Sequence, residues 1–235
     1  MNRLFISDLH LSEERPHITA AFFAFLDNKV RLADKAVGCD ELYILGDFFD
    51  AWIGDDDDRP LAADIAQALK KVAETGVRIF FQHGNRDFLL GEDYALQCGM
   101  RLLPALHIIE QKGQRILLAH GDQFCTQDVA YQQFRTLVRN PEWQQDFLAK
   151  PIEERRAIAA QLRAKSKEAN SIKAEDIMDV TPSEIDKVLI EQQCNTLIHG
   201  HTHRPARHAL VLPNGDKAER IVLSDWVDVE NYFSI

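Results

Sequence analysis

Five short motifs in this 235-residue chain hold side chains that bind cations or move protons. They are Asp8-Leu9-His10, Gly46-Asp47, Gly84-Asn85-Arg86-Asp87, His120-Gly121-Asp122 and His199-Gly200-His201-Thr202-His203. Together they offer seven metal-competent groups: Asp8, His10, Asp47, Asn85, His120, His199 and His201. A closed structural zinc uses four ligands and favours thiolates, and Cys125 is the sole cysteine following any of these motifs. Seven nitrogen and oxygen donors are too many for one ion and suit two, with one carboxylate shared. Two such metals, about 3.5–4 Å apart, activate water and clamp a phosphoryl oxygen, so the chemistry expected is phosphoester hydrolysis. Asp8 and His10 are two apart, which at a strand end aims both the same way, and His199 and His201 repeat that spacing. Either pair alone occurs by chance; the ordered set of five is what points to a dinuclear centre.

Such groups must be carried to one place by the elements before them. Short β-rich apolar runs occupy 3–7, 41–45, 77–82, 115–119, 196–199 and 219–223, and the first five end at the five motifs. Between the first two, Ile18, Phe22, Leu26, Val30 and Ala33 recur at helical spacing. Leu61, Ile65, Leu69 and Val72 do so after Pro60, with Gly76 as the stop. Thr181-Pro182-Ser183-Glu184 reads as a capping box that opens a further helix. Strand–helix–strand alternation predicts an α/β sheet whose strand carboxyl ends converge on one crevice. Residues 128–178 break the pattern: polar and helical, without a strand, they read as a cap inserted into a single domain spanning 1–235. The competing reading is a helical outer layer of that domain.

Composition limits the partners. Apolar residues at 46% and charged residues at 27% describe a globular chain and exclude disorder. The longest apolar run, 20–26, is too short to span a bilayer, no leader pattern opens the chain, and four scattered cysteines read as reduced thiols. Those features predict a cytoplasmic protein. A net charge of −10 argues against nucleic acid as a partner. Residues 135–173 nevertheless hold nine Lys/Arg against five Asp/Glu, leaving 18 basic against 32 acidic elsewhere. That local excess fits an anionic ligand or a membrane face, or else a solvated helix.

Asp8-x-His10, Gly46-Asp47, Gly84-Asn85, His120 and Gly200-His201 together resemble the signature of the calcineurin-like metallophosphoesterases. The resemblance implies a four-layer α/β/β/α sandwich with the helical cap inserted. It puts Asp8, His10, Asp47 and His201 on one metal and Asp47, Asn85, His120 and His199 on the other, Asp47 bridging. Longer runs are similar to the pyrophosphatases that act on UDP-2,3-diacylglucosamine in lipid A synthesis. They are 45–56, 83–91, 166–170 and 199–205, and the similarity extends nearly end to end, cap included. This implies hydrolysis to UMP and 2,3-diacylglucosamine 1-phosphate with two divalent ions, usually Mn2+, by a protein peripherally attached to the cytoplasmic face of the inner membrane. Catalytic roles would fall to Asn85, Arg86 and His120, and substrate contacts to Asn85, Arg86, Asp128, Ser166, Asn170, Lys173 and His199.

The donor set itself suits manganese or iron and admits zinc. Two departures stand out. Arg86 replaces the histidine many metallophosphoesterases carry after Gly-Asn, and Ser224 replaces a usual glycine before a short tail, which predicts a missing final strand. A soluble nucleotide substrate and a non-catalytic scaffold are the other two readings; a sizeable cap disfavours the first and the full ligand set the second. Elsewhere, Asp55 to Asp58 read as a solvated turn, and His17, His107 and His208 as packing or surface. His203 is a candidate supporting residue beside the ligands. Phe88, Phe124, Phe134 and Phe147 flank the crevice or the cap.

Overall fold

The computed structural model describes residues 1–31, 38–172, 179–227 and 230–235, without side chains at 167 and 169–172. The parallel strands β1 (Arg3–Ile6), β2 (Glu41–Leu45), β3 (Arg78–Gln82) and β4 (Met100–Leu102) lie side by side. β1 and β2 are buried at every position, the pattern of strands covered on both faces. One face lies under α1 (Pro16–Phe25), α2 (Pro60–Ala73) and α3 (Glu92–Cys98), through Ile18, Phe22, Ile65, Leu69 and Tyr94. A π-helical turn, Leu26–Val30, extends α1; Ala33 lies outside the described residues.

The segment expected to form a cap holds the helices α4 (Val129–Val138), α5 (Pro141–Leu148) and α6 (Ile152–Ile172), with no strand among its described residues. Phe147 belongs to the apolar cluster of the α1–α3 face, and Trp143, Ile152 and Ile158 pack against it. The second sheet holds β5 (His107–Gln111), β6 (Gln114–Leu118), β7 (Thr196–His199), β8 (Ala206–Val211) and β9 (Lys217–Val222), in the order β5-β6-β7-β9-β8. Its outer face packs on α7 (Pro182–Gln192) through Leu117, Leu197, Ile185 and Leu189. Between the sheets lie Phe5, Tyr43, Leu45, Ile116, Leu118, Ile198 and Ile221, with Phe5–Tyr43 and Tyr43–Phe80 rings stacked at 5.0 and 4.8 Å. Helices, sheet, sheet, helix: the four expected layers are present. No helix among the described residues is long and apolar enough to cross a membrane.

Four strands escaped the sequence pattern. β4 has three residues, and β5 and β8 are partly exposed edges of mixed composition, too irregular for period-two alternation. The fourth, β10 (Phe233–Ser234), overturns the expectation of a missing final strand, since Leu4 pairs with Ser234 and Phe5 with Phe233 antiparallel. Ser224 is not among the residues of positive φ, so no glycine is needed there. The capping box is not formed: the Thr181 side chain makes no cap bond, and its hydroxyl accepts from Thr126 Oγ1 at 2.8 Å.

Candidate metal centre

Parallel register delivers the motifs together. Phe5 pairs with Tyr43, Leu45 with Gln82 and His199 with Val222, so the loops after β1, β2, β3 and β7 leave at common edges. The first two loops continue to zip beyond their strands: Asp8 N donates to Gly46 O, His10 N to Asp47 O and Leu11 N to Phe48 O. In that ladder Asp8, His10 and Asp47 take left-handed φ of 57°, 51° and 51°, as do His201 and His203 at 69° and 53°. Non-glycine residues rarely adopt this conformation, and they concentrate where a site demands it. Gly84 permits the closest approach: a Cβ there would strike the Asp47 amide and carboxylate.

Asp47 lies at the middle of the cluster. Its Oδ2 is 3.8 Å from His10 Nδ1 and its Oδ1 is 3.6 Å from His120 Nε2, so its two oxygens face two different sets of donors. On the first side are Asp8, His10 and His203, with His203 Nε2 3.4 Å from Asp8 Oδ1 and 3.3 Å from His10 Nε2. On the second side His120 Nε2 is 3.1 Å from Asn85 Oδ1, and the His201 ring lies 5.0 Å from that of His120.

Two atoms of the cluster lack the partners that would satisfy them. Asp8 Oδ1 and His10 Nδ1 are fully buried with no hydrogen-bond partner among the described residues. His120 Nδ1 donates to Leu45 O at 2.8 Å, so in the neutral ring the Nε2 lone pair meets a carbonyl lone pair on Asn85. A proton on Nε2, a cation between the two atoms, or rotation of the Asn85 amide resolves that contact. Burial works against the imidazolium, yet Asp47, Asp8 and Asp122 carboxylates outweigh it and raise the His120 pKa. On the other side burial and the nearby Arg86 charge push His10 well below its ordinary pKa, leaving it neutral. Buried carboxylates, imidazoles and an amide oxygen with free lone pairs are the donors of a divalent cation site.

One expected ligand is elsewhere. His199 donates from Nδ1 to Gly200 O at 2.8 Å and faces Arg220 Nη1 across 3.4 Å from Nε2, so neither nitrogen is free. Burial, then the Arg220 charge, lowers its pKa to about 3. His203 is present where a strand-like spacing had placed His201, and His201 where it had placed His199. The reason is the turn after β7: Gly200 and the left-handed His201 and His203 end strand alternation, and the 201–203 pair, not 199–201, reaches the cluster. His203 Nδ1 is 3.3 Å from Asp225 Oδ2, which turns Nε2 inward.

Beside the cluster opens a cavity of about 650 Å3. Arg86, Arg163, Asp128 and Ser166 line it, and Trp52, Phe88, Phe134, Trp143 and Phe147 give it an apolar wall. Of the flanking phenylalanines, Phe124 instead joins the second-sheet core. Asp128 also caps α4, accepting from Tyr131 N at 3.1 Å. The Asn170 side chain and Lys173 lie outside the described residues.

The acidic run is a turn that is only partly solvated: Asp56 and Asp58 are exposed, whereas Asp55 and Asp57 are half-buried. Asp55 accepts from Gly91 N, Tyr94 N and Trp52 Nε1, Asp57 pairs with Arg59, and Asp56 and Asp58 pair with Arg155 and Arg156 of α6. Arg155, 2% exposed, also donates to Ile53 O and Lys150 O. Two of the four carboxylates, Asp56 and Asp58, thus tie α6 to the loop after β2, through arginines about a hundred positions away that no local pattern reveals.

Residues 1–205 match the calcineurin-like phosphoesterase family. The chain is 56% identical to a UDP-2,3-diacylglucosamine hydrolase of Cellvibrio japonicus over 96% of its own length and 91% of that protein's. It is 50% identical to proteins of the same name from Serratia proteamaculans and Escherichia coli O7:K1, with the same two coverages.

Proposed function

The chain belongs to the calcineurin-like phosphoesterase family, and from that membership we propose that it hydrolyses the pyrophosphate of UDP-2,3-diacylglucosamine to UMP and 2,3-diacylglucosamine 1-phosphate in lipid A synthesis. The observation that carries the substrate is the cavity beside the Asp/His cluster: guanidinium groups at one end for a diphosphate, aromatic and aliphatic walls for acyl chains. A small soluble nucleotide has no use for that apolar wall.

Asp8, His10, His203 and Asp47 Oδ2 would hold one divalent ion, and Asp47 Oδ1, Asn85, His120 and His201 the other. Bound there, the pair would supply an activated water and charge neutralisation at phosphorus. Asp47 shares its carboxylate between both sets and so fixes their separation. Asn85 and His120, as ligands, would orient the phosphoryl group under attack. The Arg86 guanidinium beside Asp47 stabilises negative charge that grows on the diphosphate, and because the leaving phosphate is a weak base no histidine acid is needed there. Asp128 and Ser166 would read the sugar headgroup, with Asn170 and Lys173 further along the cap. Manganese suits the nitrogen–oxygen donor set, and a lipid substrate calls for peripheral contact with the cytoplasmic face of the inner membrane.

Purified protein incubated with UDP-2,3-diacylglucosamine and Mn2+ should release UMP and the diacylglucosamine phosphate, followed by phosphorus NMR. Cleavage of a bis-aryl phosphate without any UMP from the lipid would replace this substrate with a soluble one.

A further inference from the structure

We infer that Asp50 is a positioning residue for the diphosphate: its carboxylate holds two guanidinium groups, Arg86 from the sheet domain and Arg163 from the cap, as a paired cation on the cavity wall. The inference rests on the reaction proposed above.

Asp50 Oδ1 accepts from Arg86 Nη1 at 2.5 Å and from Arg163 Nη2 at 2.7 Å, while Oδ2 accepts from Arg163 Nε at 3.1 Å. One carboxylate thus bonds Arg163 in the two-pronged manner its planar fork favours and still reaches Arg86. Two like charges would otherwise repel at this separation, and the carboxylate between them lets both stay. Both arginines line the cavity. The buried Arg86 Nε lies 3.3 Å from Asp47 Oδ2, so the guanidinium is held between Asp50 and the metal cluster.

The anchor itself is rigid. Asp50 N donates to Leu11 O at 3.1 Å and Trp52 N to Arg86 O at 3.0 Å, so the Asp50 backbone is pinned to the loops that carry His10 and Arg86. Asp50 directly follows the phenylalanine pair Phe48-Phe49 that comes after Asp47. On the cap, Arg163 is three residues before Ser166, the cavity-lining hydroxyl one helical turn further along α6. A diphosphate carries two charged phosphoryl groups; the pair offers two planar cations at a set spacing, one from each side of the cleft.

Charge alone and positioning predict opposite signs. Removing a carboxylate from an anion site should tighten the anion if only net charge counts; if Asp50 positions the arginines, turnover falls despite the added positive charge. With UDP-2,3-diacylglucosamine and Mn2+, Asp50→Ala should lower kcat by about 10- to 100-fold while KM stays within about threefold. Two metal ions per chain should remain by elemental analysis. Asp50→Glu should recover part of the loss, and Asp50→Ala/Arg163→Ala should lose less than the product of the two single losses, because the two residues share one contact. Wild-type kcat in Asp50→Ala, a loss confined to KM, loss of metal, or additive effects in the double variant would each overturn the inference. A substrate-free readout separates it from the reaction itself. Phenylglyoxal should modify Arg86 and Arg163 about tenfold faster in Asp50→Ala than in the wild type, mapped by mass spectrometry, since a carboxylate-bound guanidinium is shielded. If wild-type protein releases no UMP, the proposed reaction falls while the labelling still decides the bridge; equal labelling rates at both arginines end it.

Discussion

At the scale of single residues, the centre depends on side chains whose backbone is held in a costly conformation. Asp8, His10, Asp47, His201 and His203 all have positive φ, each costing on the order of 1–3 kcal/mol relative to an ordinary conformation. The ladder from Asp8 N to Leu11 N offsets that strain, and Asp8 Oδ2 ties in the last loop by accepting from His201 N at 2.9 Å. Asp47→Ala should abolish turnover and lower occupancy at both metal positions, read by elemental analysis; two ions still bound per chain would end the bridging role. The histidines separate by the same measurement. His203→Ala should leave about one ion per chain with activity lost by several powers of ten, whereas His199→Gln should keep two. The converse result would restore the strand-spacing assignment.

At the scale of elements, loops and helices are fastened by carboxylates that touch no substrate. Asp87 is fully buried and accepts from Phe48 N at 2.7 Å and Gly84 N at 2.8 Å, with Asp47 N and Phe49 N at 3.4 Å. It thereby joins the loop after β2 to the loop after β3. An amide in its place turns a donor toward backbone donors, so Asp87→Asn should weaken metal affinity about 10- to 100-fold by calorimetry, with near-native helix content. The cap is fastened in the same manner. Arg155→Ala leaves Asp56 and two backbone carbonyls without their donor, and should cost about 2–4 kcal/mol in urea unfolding. A loss under about 0.5 kcal/mol would make the acidic run a surface feature after all.

For the whole molecule, the metal cluster is a seam between the two sheets. Asp8, Asp47 and Asn85 follow strands of the first sheet and His120, His201 and His203 follow strands of the second, so each ion would join both. Without cations two buried carboxylates share one space, and Asp47, buried and close to Asp8, has its pKa raised. Metal at about a hundred times its Kd should therefore stabilise the chain by about 2.7 kcal/mol, and chelation should lower the Tm by several degrees. The shift should vanish in Asp47→Ala. A Tm insensitive to chelator would mean that the seam holds without ions.

Much of this was legible in the residues alone, because the information is local and periodic. A buried strand reads as a short apolar run and a covered helix as a three-to-four repeat. Strands β1, β2, β3, β6, β7 and β9 therefore stand in the sequence at nearly their observed bounds, and helices α1, α2 and α7 by their repeats or start signals. Convergence of strand carboxyl ends then gathers Asp8, His10, Asp47, Asn85 and His120 without further help. What the tertiary structure alone decided lies where the chain stops being periodic or where partners are distant. Two left-handed residues after Gly200 exchange His199 for His203, an outcome that period-two spacing cannot express. Asp56 and Asp58, read as part of a solvated turn, meet Arg155 and Arg156 only because α6 packs against them, as Asp50 meets Arg163. A carboxylate's role is set by the cation that meets it, and that meeting is made by long-range packing, which residue type and spacing do not encode.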